Sequence, residues 1–235
     1  MPRSQNLAVF LNIVNKAYCS CAFSRLKLNM FVSRTSILET ITVENDLSVY
    51  ITNDLKQMEQ CIQATRKAQS VLGMINTQFK IIDKEDFRII GYIRPHLEYC
   101  VQAWSPKLQK DRMLLEKVQR RATRMVKRLK KLPYETRLKN LGIYSLERRR
   151  LRGDLIETFK ILTGREHVNY SKFFELADVT SGLRGHSLKL FKPRCRTTVR
   201  QNCFSLHIVN EWNKLPQDVV EAPSINTFKN RLDRH

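Results

Sequence analysis

A helical repeat runs through Leu115-Glu116-Lys117-Val118-Gln119-Arg120-Arg121-Ala122-Thr123-Arg124-Met125, near the middle of a chain of 235 residues. Its apolar residues recur at steps of three and four, which is the spacing of one face of an α-helix. Its basic residues recur at similar steps on another face. Pro133 follows shortly afterwards and is typical of a helix end. The pattern predicts a helix over residues 107–129 with one apolar face and one basic face.

Further helical segments are predicted before this helix. Residues 54–78 carry an apolar stripe at helical spacing, and Asn53 stands where it could cap the first turn. Residues 84–90 and 95–104 are predicted to form a broken pair of helical pieces. Pro95 removes a backbone donor there, and Gly91 weakens the joint between the pieces.

More helices are predicted after the central one. Ser145 is placed to cap a helix that runs to Leu162, and Gly164 stands at the position of a left-handed C-terminal residue. Residues 204–215 and 224–233 are predicted to form short amphipathic helices, because apolar residues recur in them at helical spacing.

A β-hairpin is predicted ahead of the helices. Residues 37–43 and 47–52 are rich in β-branched side chains that alternate, and Glu44-Asn45-Asp46 supplies turn chemistry between them. The predicted fold class is therefore mainly α, with a short β-hairpin followed by a helical bundle and a C-terminal helical extension.

The positive charge is concentrated in one part of the chain. The protein has 42 Lys and Arg against 22 Asp and Glu, a formal net charge of +20, and residues 107–152 alone hold 17 basic and 4 acidic residues. Like charges four residues apart on a helix cost roughly 0.2–0.5 kcal/mol per pair. Little offsets this repulsion besides Glu116, which stands four residues before Arg120. An anionic partner such as nucleic acid is therefore expected.

The candidate nucleic-acid-binding residues come from this segment and from a second basic stretch over residues 179–210, which contains no acid. They would contact backbone phosphates, so binding would be indifferent to base sequence. The candidates are Lys117, Arg120, Arg121, Arg124, Lys127, Arg128, Lys131, Arg148, Arg149, Arg152, Arg184 and Arg196.

The residue patterns of common catalytic sites are missing from the sequence. No Asp-Asp pair occurs that would hold two metal ions for phosphoryl transfer, and the seven glycines form no phosphate-binding loop. His96 and Glu98 have the spacing of a zinc deaminase, but no Cys-x-x-Cys accompanies them. Cys195, Cys203 and His207 fall short of the four ligands of a structural zinc site. We expect no enzyme activity, no catalytic residue, no metal and no cofactor.

The expected compartment is the nucleus or the cytoplasm. No apolar run approaches the ~20 residues that a membrane span needs, so no membrane partner is expected. The six cysteines are spread over a strongly basic chain, which favours reduced thiols over a disulfide framework. For residues 1–22, a frayed segment is favoured over a degenerate signal peptide.

Several motifs of the chain occur in the same order in one protein family. The first are Arg94-Pro95-His96-Leu97-Glu98-Tyr99-Cys100, Ala103-Trp104-Ser105-Pro106 and the central repeat quoted above. The later ones are Leu132-Pro133-Tyr134-Glu135-x-Arg137-Leu138-x-x-Leu141-Gly142, Ser145-Leu146-Glu147-x-Arg149-Arg150, Arg184-Gly185-His186-Ser187 and Trp212-Asn213-x-Leu215-Pro216. With these motifs, residues 36–235 resemble the C-terminal part of reverse transcriptases, the RNA-directed DNA polymerases of non-LTR retrotransposons, of the jockey-like kind. Ser48 stands where that family usually has Gly.

The resemblance implies a division of the chain and a role for it. Residues 36–53 would be the hairpin at the end of the palm, 54–165 a helical thumb-like region and 166–235 a basic C-terminal extension, with 1–35 unassigned. The thumb would grip the backbone of a template-primer duplex of RNA, DNA or hybrid. The family's catalytic Ala-Asp-Asp motif and endonuclease lie before the resemblance begins, so the expectation is a truncated fragment without polymerase activity.

Other interpretations of the same residues stay open. The chain could be a helical protein-interaction module, or a non-functional transposon relic. A full-length protein of the same element is a further expected partner, since it would supply the catalytic palm in trans.

Overall fold

The computed structural model describes residues 42–79, 81–84, 86–178 and 185–235. These fall into two compact units, one ending at Arg150 and the other spanning Leu151–His235. We call them the N-terminal unit and the C-terminal unit. The predicted thumb-like region over 54–165 crosses this division, and the unassigned segment 1–35 lies outside the described residues.

The N-terminal unit consists of a hairpin and a set of helices, which confirms the predicted fold class. The strands are β1 (Val43–Asp46) and β2 (Val49–Thr52), which pair antiparallel. The helices are α1 (Met58–Gln78), a 3₁₀ helix (Asp86–Tyr92), α2 (Arg94–Glu98), α3 (Val101–Trp104), α4 (Gln109–Arg124), α5 (Tyr134–Leu141) and the start of α6 (Leu146–Leu162).

The hairpin has a different register from the predicted one. Glu44-Asn45-Asp46 belongs to β1, and the turn is formed by Leu47 and Ser48, whose φ angles are 45° and 66°. Positive φ at both central positions is the geometry of a type I′ turn, which matches the twist of the flanking strands. That geometry, rather than residue type, fixes the register here. The predicted residues 37–41 lie outside the described part of the chain.

Helix α1 ends where the sequence predicts but begins later. Its last residue is Gln78, whereas its first is Met58, so Asn53 does not cap it and lies in a turn. Asp54 accounts for the difference, because its carboxylate accepts hydrogen bonds from the Thr52 hydroxyl and the Lys56 amide and holds the chain in that turn. The hydrogen bonds from Lys56 and Thr52 lower the pKa of Asp54 to about 2.

The central helix α4 is shorter than predicted at both ends. It spans Gln109–Arg124 instead of 107–129, and Arg128 has a φ of 67°, which a right-handed helix excludes. Val126 is 1% exposed and forms an isolated parallel bridge with Ile82, whose carbonyl accepts the Lys127 amide at 2.9 Å. Burial of Val126 against a distant segment therefore ends the helix before the apolar repeat does.

The core of the N-terminal unit lies between α1 and α4, which pack against each other. Its most deeply buried large residues are Leu72, Leu97, Leu115, Val118, Val126 and Leu146. The pieces predicted over 84–90 and 95–104 are represented by the 3₁₀ helix and α2, which are separated only at Ile93, but the predicted second piece is divided at Cys100, whose φ of 53° separates α2 from α3.

In the described residues of the C-terminal unit, the rest of α6 is followed by five short helices. These are α7 (Thr198–Gln201), α8 (Phe204–His207), α9 (Val209–Asn213), α10 (Gln217–Val220) and α11 (Ile225–Arg234). A 3₁₀ helix covers Tyr170–Lys172. Gly164 has a φ of 67° after α6, as predicted, and Ser224 caps α11 by accepting the Thr227 amide at 3.1 Å.

One predicted helix, over 204–215, is in fact two. The break falls at Ile208, which is fully buried, and Leu215 lies in a turn beyond α9. Ile208 and Trp212 both pack into the apolar cluster of this unit. Phe159 and Phe228 stack at its centre with ring centroids 4.3 Å apart.

A histidine and a carboxylate join α8 to α6 within the C-terminal unit. His207 Nε2 lies 3.0 Å from Asp154 Oδ2, and His207 Nδ1 lies 3.0 Å from the carbonyl oxygen of Cys203. Both ring nitrogens face acceptors, so only the imidazolium can donate to both. Burial disfavours that charge, but the hydrogen bond and charge of Asp154 outweigh it and raise the pKa of His207.

We expect the stabilisation by the His207–Asp154 pair to decrease as pH rises. A pKa raised by folding stabilises the protein fully below the unfolded value of about 6.5, and the stabilisation is lost as pH rises through the folded pKa. Urea unfolding of the wild type and of His207→Gln should differ most at low pH and converge as pH rises. A difference that is constant from pH 5.5 to 8.5 would contradict the protonated pair.

Candidate nucleic-acid interface

Four predicted cations lie together on one face of α4. At about 100° per residue, Lys117, Arg120, Arg121 and Arg124 fall within an arc of about 100°, and all four are exposed. The opposite face carries the buried side chains of α4. None of the four forms an ion pair with an acid in the described parts of the chain.

The acid expected to offset this charge is engaged elsewhere. Glu116 does not pair with Arg120; its carboxylate accepts a hydrogen bond from the Tyr134 hydroxyl and another from the Leu146 amide at 3.2 Å. Arg120 instead lies over the ring of Tyr134, 4.7 Å from its centroid. The repulsion along this face is therefore left without the expected compensation.

The next three cations lie in a turn and not on the helix. Lys127, Arg128 and Lys131 follow the end of α4 directly, and all three are exposed. The predicted helix over 107–129 is consequently wrong for Lys127 and Arg128, although these charges remain exposed near the C-terminus of α4.

Arg148 lies on the first turn of α6. Its amide donates to Ser145 Oγ at 3.3 Å, as the predicted cap requires, and its exposed guanidinium lies 4.2 Å from the centre of the Tyr144 ring. The Tyr144 carbonyl in turn accepts Gln119 Nε2 of α4 at 3.1 Å. We use the name cationic surface for the exposed cations of the N-terminal unit that were predicted from the sequence. They are Lys117, Arg120, Arg121, Arg124, Lys127, Arg128, Lys131 and Arg148.

Two predicted binding residues are held in ion pairs. Arg149 forms a two-pronged pair with Glu98, with Nη2 2.8 Å from Oε2, and the hydrogen bond to Glu98 raises the pKa of this arginine. Arg152 forms a similar pair with Asp233 in the C-terminal unit, at 2.6 and 2.7 Å. Their guanidinium groups are less available for phosphate than the sequence suggests.

The last two candidates belong to the C-terminal part of the chain. Arg196 is exposed ahead of α7, and Arg184 lies outside the described residues. Nine of the twelve candidates therefore lie in the N-terminal unit, and eight of these nine are exposed.

Sequence reasoning missed the buried arginines of this region. Arg137 is 2% exposed, and its guanidinium donates to Thr123 Oγ1 at 3.1 Å and to the Leu132 carbonyl at 3.0 Å. Arg150 is 5% exposed. For Arg150 the sequence offered one signal. Arg148, Arg149 and Arg150 are consecutive on a helix, so their side chains point in different directions and not all of them face solvent.

The predictions about metals and membranes concern the potential metal ligands and the helices of the described residues. Cys61 and Cys195 are free thiols, and burial raises the pKa of the Cys61 thiol to about 12. In the described parts of the chain, His, Cys, Asp and Glu side chains form no group that could hold a metal ion. No helix there is long and apolar enough to span a membrane.

Comparison with protein-family models, with curated proteins and with solved structures yields no match to this chain. The resemblance to reverse transcriptases therefore stays a prediction carried by the motifs.

We expect the Tyr134 hydroxyl to stabilise the folded N-terminal unit through its contacts with α4. It donates to Glu116 and accepts Gln119 Nε2 at 3.0 Å, and burial together with Glu116 raises its pKa. Tyr134→Phe should lower the free energy of unfolding by about 1–3 kcal/mol, because two partly buried polar groups lose a partner. The matched change at Tyr92, whose residue is 71% exposed, should stay within about 0.5 kcal/mol in the same urea titration.

Proposed function

We propose that this chain binds nucleic acid through backbone phosphates that contact the cationic surface. In this proposal it acts as the thumb-like part of a reverse transcriptase of the non-LTR, jockey-like kind, and it performs no polymerase chemistry of its own. The observation that carries the proposal is the uncompensated face of α4, where Lys117, Arg120, Arg121 and Arg124 are exposed without an ion-pair partner among the described residues.

The main competing interpretation is that this face is simply solvated. A solvated helix face normally mixes acids with its bases at a spacing of four, which stabilises the helix. Here the one nearby glutamate of the helix is turned to Tyr134 and Leu146. A bound polyanion offsets the remaining repulsion between the cations, and the release of its counterions favours binding. Both effects support nucleic acid over solvent as the partner of this face.

The test is the salt dependence of duplex binding. Arg121→Gln, Arg124→Gln and Arg128→Gln together should weaken binding roughly ten- to five-hundred-fold at 0.1 M salt, for every sequence alike. The slope of log affinity against log salt should fall in magnitude by up to about 2.7, because three phosphate contacts are lost. Fluorescence anisotropy with DNA, RNA and hybrid duplexes measures both quantities.

The control variant removes the same number of positive charges from another part of the protein. Arg66, Lys67 and Arg234 are exposed and lie outside the cationic surface. Their replacement by Gln should change the slope much less. Equal losses of duplex affinity in the two triple variants would show that binding depends on net charge and not on the cationic surface. An unchanged affinity in the first variant would overturn the proposed surface.

A second candidate function is a protein-interaction module. Met74, Phe79 and Ile81 are 58%, 46% and 59% exposed at and just beyond the end of α1. Binding through such an apolar face would depend weakly on salt, whereas phosphate binding depends on it steeply. Purified chain that binds no duplex at low salt would favour this candidate.

A further inference from the structure

A cavity of about 270 Å³ lies in the N-terminal unit beside the cationic surface. Its wall is formed by α4, the start of α5 and the first turn of α6, and it includes Arg112, Lys117, Arg120 and Arg150. Pockets for drug-sized molecules usually measure roughly 300–1,000 Å³. This cavity therefore suits a small group better than an extended ligand.

Arg150 is the unusual member of the wall. The residue is 5% exposed, and its Nη1 is buried without a hydrogen-bond partner among the described residues. A guanidinium offers five N–H donors and keeps its charge in proteins, so burying it without a nearby acceptor is costly. Burial lowers the pKa of Arg150, and the charges of Glu116 and Glu147 only oppose that shift.

The acids of the wall are already engaged or exposed. Glu147 pairs with Arg112 at 2.5 Å, and Glu116 accepts hydrogen bonds from Tyr134 and Leu146. Glu135, the third wall carboxylate, is exposed to solvent. Arg150 therefore lines the cavity without a hydrogen bond to any of the three wall carboxylates.

We propose that this cavity binds a phosphate monoester, with Arg150 as its buried donor and Lys117 and Arg120 as further cations. A monoester carries about −1.5 to −2 charge at neutral pH and three free oxygens, whereas an internal phosphodiester carries one charge and two chain connections. Lys117 and Arg120 belong both to the wall and to the cationic surface. A strand lying on that surface would place its terminal phosphate here, and this source of the phosphate rests on the proposed function.

The first experiment uses inorganic phosphate and the whole chain. Phosphate should raise the unfolding midpoint saturably, because a ligand that binds only the folded state stabilises it, while chloride at the same ionic strength should not. Arg150→Gln should abolish the shift and Arg150→Lys should weaken it. Arg66→Gln, an exposed change away from the cavity, should leave it intact. Circular dichroism without phosphate establishes that each variant is folded.

The second experiment tests whether the end of a nucleic-acid strand can supply the phosphate. Duplexes of one sequence, with and without a terminal phosphate, are bound to the wild type. A terminal phosphate should tighten binding about tenfold or more, since a hydrogen bond to a charged group contributes about 1.5–3 kcal/mol. Arg150→Gln should remove this advantage while the salt slope of the unphosphorylated duplex persists.

The outcomes separate this proposal from the proposed function. A phosphate-dependent midpoint in a chain that binds no duplex would support the cavity with free phosphate or a nucleotide as its ligand, and would reject the nucleic-acid role. Duplex binding that is steeply salt-dependent, with neither a midpoint shift nor an advantage for the terminal phosphate, would overturn the cavity and retain the nucleic-acid role.

Discussion

Repulsion between like charges on α4 is the constraint on which the candidate interface depends. Lys117, Arg121 and Arg124 cannot turn away from one another, because the opposite face of the helix is committed to the core between α1 and α4. The nearest acid of the helix cannot quench them, since Glu116 joins α4 to Tyr134 and Leu146. The packing that stabilises the unit thus also maintains an unneutralised positive surface, which a polyanion can stabilise.

The same junction connects the surface to the cavity. Glu116 tethers both Tyr134 and the first residue of α6, and the turns that it holds in place form part of the wall around Arg150. Arg112 occupies Glu147 on the other side. Glu116 and Glu147 are thus used to build structure, whereas Lys117 and Arg120 are left to face solvent or an incoming anion.

Much of the helical framework could be read from the sequence, because helices depend on local spacing and capping. The end of α1, the Ser145 cap and the left-handed Gly164 were all correctly predicted. The errors fall where distant segments meet. The bridge between Val126 and Ile82 ends α4 early, and the predicted helix over 204–215 is divided at the buried Ile208. Local patterns carry no information about such partners.

The amount of positive charge, its concentration around α4 and the separation of basic from apolar faces follow from the order of the residues alone. Which arginines remain available depends on the contacts that form on folding. Arg149 meets Glu98 across 51 residues of sequence, and Arg152 meets Asp233 across 81. Arg137 and Arg150 are buried by packing around them. The physical reason is that charge is a property of the residue, whereas its neutralisation requires a partner that folding brings within about 4 Å.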